Sequence, residues 1–117
     1  MMRSMTTFKK WEIVLVPFPF TNQKKSKKRP AVVLSPTEYN LGEDIVIGFV
    51  TSKIDGEDSF LDYLIKNWEE ASLPKPSKIK MKFATIEKKI VVKKLGKLSD
   101  LDKKLLSYKL VSFFADK

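Results

Sequence analysis

Two residue types that carry much of enzyme chemistry are missing from this sequence of 117 residues, which has neither cysteine nor histidine. Without cysteine, disulfides, thiolate zinc sites and cysteine nucleophiles are excluded. Without histidine, His-dependent triads, histidine acid–base catalysis and nearly all transition-metal sites are excluded as well. Any catalysis must therefore use Arg, Lys, Thr, Ser, Tyr, Asp or Glu side chains.

Long apolar runs are absent too. No segment approaches the roughly 20 apolar residues that a helix needs to span a bilayer. Residues 1–8 lack the apolar core of a signal peptide. We therefore expect a cytoplasmic protein, in which residues 1–8 form a flexible N-terminal arm and residues 9–117 form a single domain.

Acidic residues are scarce relative to basic ones, with 14 Asp and Glu against 23 Lys and Arg and a net charge of +9. This surplus favours a polyanionic partner such as nucleic acid, an acidic protein or an anionic membrane surface. A lysine-rich surface also keeps a protein soluble, so charge alone leaves both interpretations open.

The sequence pattern predicts a series of short β strands followed by one helix. β-Branched and aromatic runs bounded by Pro, Asn and Gly predict strands that begin near residues 12, 29, 44, 60, 78 and 88. Gly96 is expected to end the last strand, and Ser99 to cap a helix that reaches about Phe114. This pattern is typical of a small, strongly curved antiparallel sheet or a partly open barrel.

Five segments, in the same order along the chain, resemble the MazF/PemK family of toxin endoribonucleases, the toxic halves of bacterial toxin–antitoxin pairs. These segments are Val16–Thr21, Lys28–Pro36, Val50–Lys53, Leu73–Ser77 and Leu95–Ser99. The resemblance spans about residues 9–115 and implies a mainly β fold, an SH3-like barrel of about five to seven antiparallel strands with a C-terminal helix. It also implies a homodimer and cleavage of single-stranded RNA without a metal or cofactor. An acidic, MazE-like antitoxin would be the protein partner.

Arg29 and Thr51 are the candidate catalytic residues. From the residues alone, Arg29 could pair with a strand-end carboxylate such as Glu12, Glu43 or Asp44, and Thr51 could be an ordinary strand residue. In the family, the matching arginine and threonine lie at the scissile phosphate. The resemblance therefore implies that Arg29 and Thr51 contact that phosphate.

RNA-binding residues are expected around Arg29, because the loop before it is rich in lysine and two nearby phenylalanines alternate with prolines. The candidate RNA-binding residues are Phe18, Phe20, Lys24, Lys25, Lys27, Lys28, Ser77 and Lys82, and Tyr39 is a further candidate for contact with a base. A solvated loop and buried phenylalanines would explain the same pattern without RNA.

The sequence departs from the family at the positions expected to transfer protons. Many relatives carry an arginine and an aspartate where this chain has Lys80 and Lys82, and a Gly-Asp pair where it has Trp11 and Glu12. Glu12 and Lys80 are thus candidates for proton transfer. Two alternatives to an active nuclease stay open: a non-catalytic basic barrel that binds nucleic acid, and an inactive toxin that only binds its antitoxin.

Overall fold

The computed structural model describes residues 7–18, 27–56 and 61–115, and six strands and two helices form within them. The strands are β1 (Glu12–Phe18), β2 (Lys27–Val33), β3 (Asp44–Thr51), β4 (Tyr63–Leu64), β5 (Lys78–Glu87) and β6 (Lys93–Lys97). The helices are the single-turn α1 (Thr37–Asn40) and the longer α2 (Asp100–Phe114), and a 3-10 turn at Lys88–Ile90 links β5 to β6.

The strands form one antiparallel sheet in the order β4-β5-β3-β2-β1-β6. The sheet curls into a half-barrel, and α2 follows the last strand. This arrangement confirms the mainly β fold with a C-terminal helix.

Two predicted strands differ from those observed. The strand expected from residue 60 contains only Tyr63 and Leu64. The strand expected from residue 88 begins at Lys93, and Gly96 lies within it opposite Ile13 rather than ending it. A Cβ at Gly96 would lie 2.5 Å from the carbonyl oxygen of Ala71. The glycine therefore allows two backbone segments to approach closely, which is a role distinct from ending a strand.

Both faces of the sheet carry a core, because successive strand residues point to opposite sides. One cluster includes Ile13, Val32, Val50, Ile79 and, from α2, Leu106. The other includes Phe8, Val14, Val16, Ala31, Val33, Ile45, Ile47 and Ile86. Phe8, at the end of the predicted N-terminal arm, is thus buried against the sheet.

A buried carboxylate, Asp102, joins the start of α2 to the sheet. Ser99 caps the helix as predicted, because its hydroxyl oxygen accepts the backbone N–H of Asp102 at 3.1 Å. The Asp102 carboxylate accepts the backbone N–H groups of Lys66 at 2.9 Å and Asn67 at 2.8 Å, and the Tyr63 hydroxyl also donates to it. Burial raises the pKa of Tyr63 far above its usual value, and the hydrogen bond to Asp102 raises it further.

Trp11, immediately before β1, adopts a left-handed backbone conformation with φ of 79°. Its N–H nevertheless donates to the carbonyl of Val33 at 2.7 Å, and its own carbonyl accepts the N–H of Leu98 at 3.0 Å. A left-handed φ favours glycine, the residue that the family resemblance leads one to expect here. The tryptophan therefore occupies a backbone position suited to glycine.

Candidate functional site

Among the residues that the structure describes, β1 and β2 each lose a neighbouring strand at the same end of the sheet. The paired positions of β1 and β6 end at Leu15, and those of β2 and β3 end at Ala31 and Phe49. Pro17 and Pro30 lie within two residues of these ends, and proline has no N–H to donate to a ladder. Beyond these points β1 and β2 continue as a pair, up to Phe18 and Lys27.

The candidate site lies where one face of the sheet emerges from the core at this end. Val16, Ala31 and Ile47 are buried on that face. Two residues further along the same strands, alternation places Phe18, Arg29 and Phe49 on the same side. The site is therefore a continuation of a packed surface, and its side chains start from rigid strands.

Arg29 and Thr51 belong to neighbouring strands at this site. The register pairs Ala31 of β2 with Phe49 of β3. Alternation then places Arg29, two residues before Ala31, and Thr51, two residues after Phe49, on the face that Ala31 and Phe49 define. The two residues predicted to be catalytic therefore lie on one face, at the same end of neighbouring strands, although 22 positions separate them in the sequence.

A row of two aromatic rings with a cation near each ring crosses the site. The Arg29 guanidinium carbon lies 5.8 Å from the centre of the Phe18 ring. The Phe18 and Phe49 rings meet edge to face with centroids 5.6 Å apart. On the far side, Lys82 Nζ lies 5.8 Å from the Phe49 centroid. We call these four residues the cation–aromatic row; its two cations lie on either side of two rings.

The hydroxyl of Thr51 is oriented by the turn that follows β3. Its oxygen accepts the backbone N–H of Lys53 at 3.1 Å. A hydroxyl that accepts one hydrogen bond retains its own O–H to donate elsewhere. Thr51, which is half-buried, can therefore offer a donor from a fixed position at the same end of the sheet as Arg29.

A large bulge in β5 carries Lys82, a member of the row, and its neighbour Lys80. Gly48 pairs with Phe83 and Val50 with Ile79, so three β5 residues stand opposite Phe49 alone. The register shift lies directly after Gly48, and a glycine within a strand often marks a bulge or a close approach of another backbone. This bulge places two lysines at the edge of the site.

The remaining predicted residues lie in different places. Lys27 and Lys28 are exposed at the start of β2, close to Arg29 in the chain. Ser77 is buried, and its hydroxyl donates to the carbonyl of Lys75 at 2.9 Å. Phe20, Lys24 and Lys25 lie outside the described residues.

Glu12 and Tyr39 are not brought to Arg29. Glu12 Oε1 accepts the N–H of Lys9 at 2.8 Å, and Oε2 pairs with Lys94 Nζ at 3.3 Å. It lies four residues along β1 from Val16, the partner of Arg29, a distance of about 13 Å in a strand. Tyr39 lines a cavity with Val46 and Phe83, beneath the C-terminal end of α2.

Sequence reasoning missed one charged residue beside the site, Asp62. Its Oδ1 accepts the backbone N–H of Met81 at 3.1 Å, and its Oδ2 lies 3.1 Å from Lys78 Nζ and 4.0 Å from Lys80 Nζ. A lone acidic residue before a two-residue strand gives no signal in the sequence. The pairing of Tyr63 with Ile79 is what brings it to β5.

The described residues contain no group of three or more carboxylate, Cys or His side chains that could hold a metal ion. In the same part of the chain, no helix combines the length and apolarity needed to cross a bilayer. The chemistry that the site itself offers is a guanidinium, nearby ammonium groups, a hydroxyl donor, the exposed ring of Phe18 and the half-buried ring of Phe49.

Solved structures share this fold. A MazE–MazF complex from Deinococcus radiodurans superposes with a TM-score of 0.71 at 16% identity, covering 97% of this chain and 100% of that chain. Mycobacterium tuberculosis toxin MazF-mt6 gives 0.69 at 16% identity, covering 91% and 99%. An endoribonuclease from a mycobacterial species, solved with its cognate antitoxin, gives 0.70 at 13% identity, covering 92% and 93%. At these identities the similarity establishes the fold.

No curated protein sequence gives a significant match to the chain. The model of one protein family does match it, over residues 9–114, and that family is described as the PemK-like, MazF-like toxins of type II toxin–antitoxin systems. Because this match covers nearly the whole folded chain, and the fold agrees with it, the protein belongs to the PemK-like, MazF-like toxin family.

Proposed function

We propose that this protein is the toxin of a type II toxin–antitoxin pair and a sequence-specific endoribonuclease that cleaves single-stranded RNA without a metal ion. The observation that carries the proposal is the cation–aromatic row with Thr51 beside it. Cations fixed on strands can hold a phosphodiester, and exposed rings can stack on unpaired bases. Structural neighbours that are endoribonucleases support the same reaction class.

Cleavage proceeds by attack of a ribose 2′-hydroxyl on the adjacent phosphorus. A bond from the 2′-oxygen to phosphorus forms, the bond to the 5′-oxygen breaks, and the products are a 2′,3′-cyclic phosphate and a 5′-hydroxyl. Negative charge grows on the non-bridging oxygens during this step. The Arg29 guanidinium stabilises that charge with a planar pair of donors, and the Thr51 hydroxyl donates to one of the oxygens.

The 2′-hydroxyl proton must leave and the 5′-oxygen must gain one. Of the two candidates for proton transfer, Glu12 is held by Lys94 and Lys9 about four residues away along β1. Lys80 belongs to the bulge opposite Phe49. The geometry therefore favours Lys80 over Glu12 for a role at the phosphate. A lysine replaces the charge of the family's arginine there but not its two-pronged geometry.

Exposed lysines around the row extend the binding surface for the RNA backbone. Lys27, Lys28 and Lys82 flank Arg29 and Phe49 and are exposed. Each phosphate that they neutralise releases condensed counterions, so affinity should fall steeply as salt rises. The predicted contacts of Phe20, Lys24 and Lys25 with RNA form part of the same proposal.

The protein partners follow from the charge and from α2. A net charge of +9 suits an acidic antitoxin, and structural neighbours include MazF bound to MazE. On α2, Leu106 is buried, whereas Leu101, Tyr108 and Val111 are between 47% and 69% exposed. This apolar surface supports a homodimer with α2 near its interface. A cytoplasmic location is consistent with an mRNA substrate.

The test is incubation of a long single-stranded RNA with the purified protein in EDTA, followed by mapping of the cut ends. Discrete cuts that end in a 2′,3′-cyclic phosphate are expected. Arg29→Ala and Thr51→Val should each slow cutting by about 100-fold or more, if each removes a donor to the developing charge. Lys89→Ala is the matched control, because Lys89 is exposed and follows β5 at its opposite end.

Two other outcomes distinguish the alternatives. RNA that is bound but stays intact would replace the nuclease by a non-catalytic RNA-binding module. RNA that is neither bound nor cut, by a protein that still captures an acidic antitoxin, would indicate an inactive toxin. Cutting by wild type that Arg29→Ala does not slow would remove Arg29 from the mechanism.

A further inference from the structure

The β5 bulge leaves backbone groups without strand partners, and Asp62 compensates for one of them. The register of β4 with β5 pairs Tyr63 with Ile79, and its extension by one residue places Asp62 opposite Lys80. Instead of a backbone carbonyl, the Asp62 carboxylate accepts the Met81 N–H, at 3.1 Å. Met81 lies between Lys80 and Lys82, so this bond fixes the backbone that carries both lysines.

The negative charge on Asp62 also attracts the ammonium groups of two lysines, which a neutral hydrogen-bond acceptor would not do. Its second oxygen lies 3.1 Å from Lys78 Nζ, and both side chains are more than nine-tenths buried. It also lies 4.0 Å from Lys80 Nζ, whose side chain is 38% exposed. The buried Lys78 already balances the carboxylate, so Lys80 keeps its positive charge toward solvent while the carboxylate attracts its ammonium group from 4.0 Å.

We propose that Asp62 is a positioning residue for RNA binding, which holds Lys80 and Lys82 of the bulge toward the cation–aromatic row. The inference rests on the proposed function, because it assigns Asp62 a part in the same RNA site. A cation that is already ordered loses less conformational entropy when it meets a phosphate. Asp62 therefore increases affinity for a polyanion although it carries a negative charge itself.

The central test is the double variant Asp62→Asn/Lys78→Met. It removes one negative and one positive buried charge together, so the net charge is unchanged and no buried charge of this pair is left alone. Asparagine can still accept the Met81 N–H through its carbonyl oxygen. Thermal unfolding would be recorded for every variant, and affinities compared only where all are folded.

Affinity is measured with a labelled single-stranded RNA that carries 2′-O-methyl groups throughout, over a series of KCl concentrations. This probe lacks the attacking hydroxyl, so the assay is independent of cleavage. We expect the double variant to bind about 2- to 10-fold more weakly, the cost of ordering one free lysine side chain. The slope of log affinity against log salt should change by less than about 0.7, the value for one lost phosphate contact on a single strand, because Lys80 is still present and can still reach the phosphate.

A mutant cycle with Lys80→Met separates positioning from general structural damage. If Asp62 acts through Lys80, adding Asp62→Asn and Lys78→Met to a protein that already carries Lys80→Met should lower RNA affinity little further. Equal losses of RNA affinity in the wild-type and Lys80→Met backgrounds would show that Asp62 does not act through Lys80. Unchanged or tighter binding by the double variant would overturn the inference and leave the proposed nuclease intact.

The outcomes also separate the inference from the proposed function. Wild type that binds the probe but cleaves no natural RNA would refute the nuclease and leave the role of Asp62 standing. Wild type that neither binds the probe at any salt concentration nor cleaves natural RNA would overturn both, whereas wild type that cleaves natural RNA with no loss of activity in the double variant at subsaturating RNA would overturn the inference alone.

Discussion

Phe18 and Phe49 meet edge to face across the site, with their rings at 84° and a cation on the outer side of each. Each ring restricts the other and supports one charged group. This relationship couples β1 to β3 at the end of the sheet where the strands lose their other partners. It makes the aromatic pair a natural target for substitution.

Phe49→Leu should weaken binding of single-stranded RNA by about 5-fold or more, because a base-stacking ring and the support of Lys82 are both lost. Fluorescence anisotropy with the 2′-O-methyl RNA would measure the change. Phe113→Leu is the matched control, since Phe113 is an exposed aromatic residue that packs on Phe83 and Phe114 instead. Equal affinities for Phe49→Leu and wild type would count against a role of the ring in binding.

Tyr63→Phe should lower stability at pH 7 by about 1.5–3 kcal/mol, because a hydrogen bond to the Asp102 carboxylate is lost. The folded pKa of Tyr63 lies above its unfolded value of about 10, so folding favours the neutral phenol. The contribution of the Tyr63 phenol to the free energy of unfolding is therefore complete below about pH 10 and is lost as pH rises toward the folded pKa. The stability difference between wild type and Tyr63→Phe should therefore shrink above pH 10.

Urea unfolding at pH 7 and at pH 10.5 would measure this difference. Tyr108→Phe is the control, because Tyr108 is 69% exposed and its loss should change little at either pH. Titration of the lysines is common to all three proteins and cancels in the comparison. A difference for Tyr63→Phe that stays constant with pH would contradict the assignment of the phenol–carboxylate pair.

Gly96→Ala should destabilise the fold by about 1–3 kcal/mol or more, since overpacking against a rigid neighbour carries this cost. Its Cβ would meet the backbone oxygen of Ala71 at 2.5 Å, which no side-chain movement can relieve. Gly42→Ala is the matched control, because its Cβ would meet its nearest neighbour, the carbonyl oxygen of Tyr39, at 3.5 Å. Chemical denaturation of both variants provides the measurement, and a Gly96→Ala protein as stable as Gly42→Ala would refute the close approach.

Trp11→Gly should be more stable than Trp11→Ala by about 1 kcal/mol, the reverse of the usual order in regular structure. The reason is the left-handed φ of 79°, which penalises any side chain with a Cβ. Both variants lose the same indole contacts with the core, so the comparison isolates the backbone. The midpoints of chemical denaturation would measure the stability difference between the two variants. An alanine variant more stable than the glycine variant would indicate that Trp11 adopts another backbone conformation in solution.

Sequence patterns predicted the parts of the fold that depend on residues adjacent in the sequence. The bounds of β3 and the Ser99 cap of α2 follow from local alternation and from capping chemistry, and both were confirmed. The length of β4 was not predictable, because its apolar residues satisfy a strand pattern while only Tyr63 and Leu64 find partners on β5. Gly96 was misread for a similar reason, since Ala71 is its neighbour in space and not in sequence.

The site divides in the same way. The family resemblance selected Arg29 and Thr51, and the pairing of β2 with β3 is what places them on one face at the same end of the sheet. Asp62 escaped notice because its role arises from a bulge in a strand that begins 16 residues later. Whether Arg29 and Thr51 catalyse RNA cleavage stays a prediction for the mapping experiment.

Pro17 and Pro30 have a consequence for the behaviour of the protein at high concentration. Where β1 and β2 lose their outer neighbours, an ordinary strand would present free backbone donors on which another chain could assemble. The prolines remove donors there, and the adjacent Lys27 and Lys28 repel a second copy of the same positively charged edge. The end of the sheet where these strands diverge is thereby kept from becoming a starting point for aggregation.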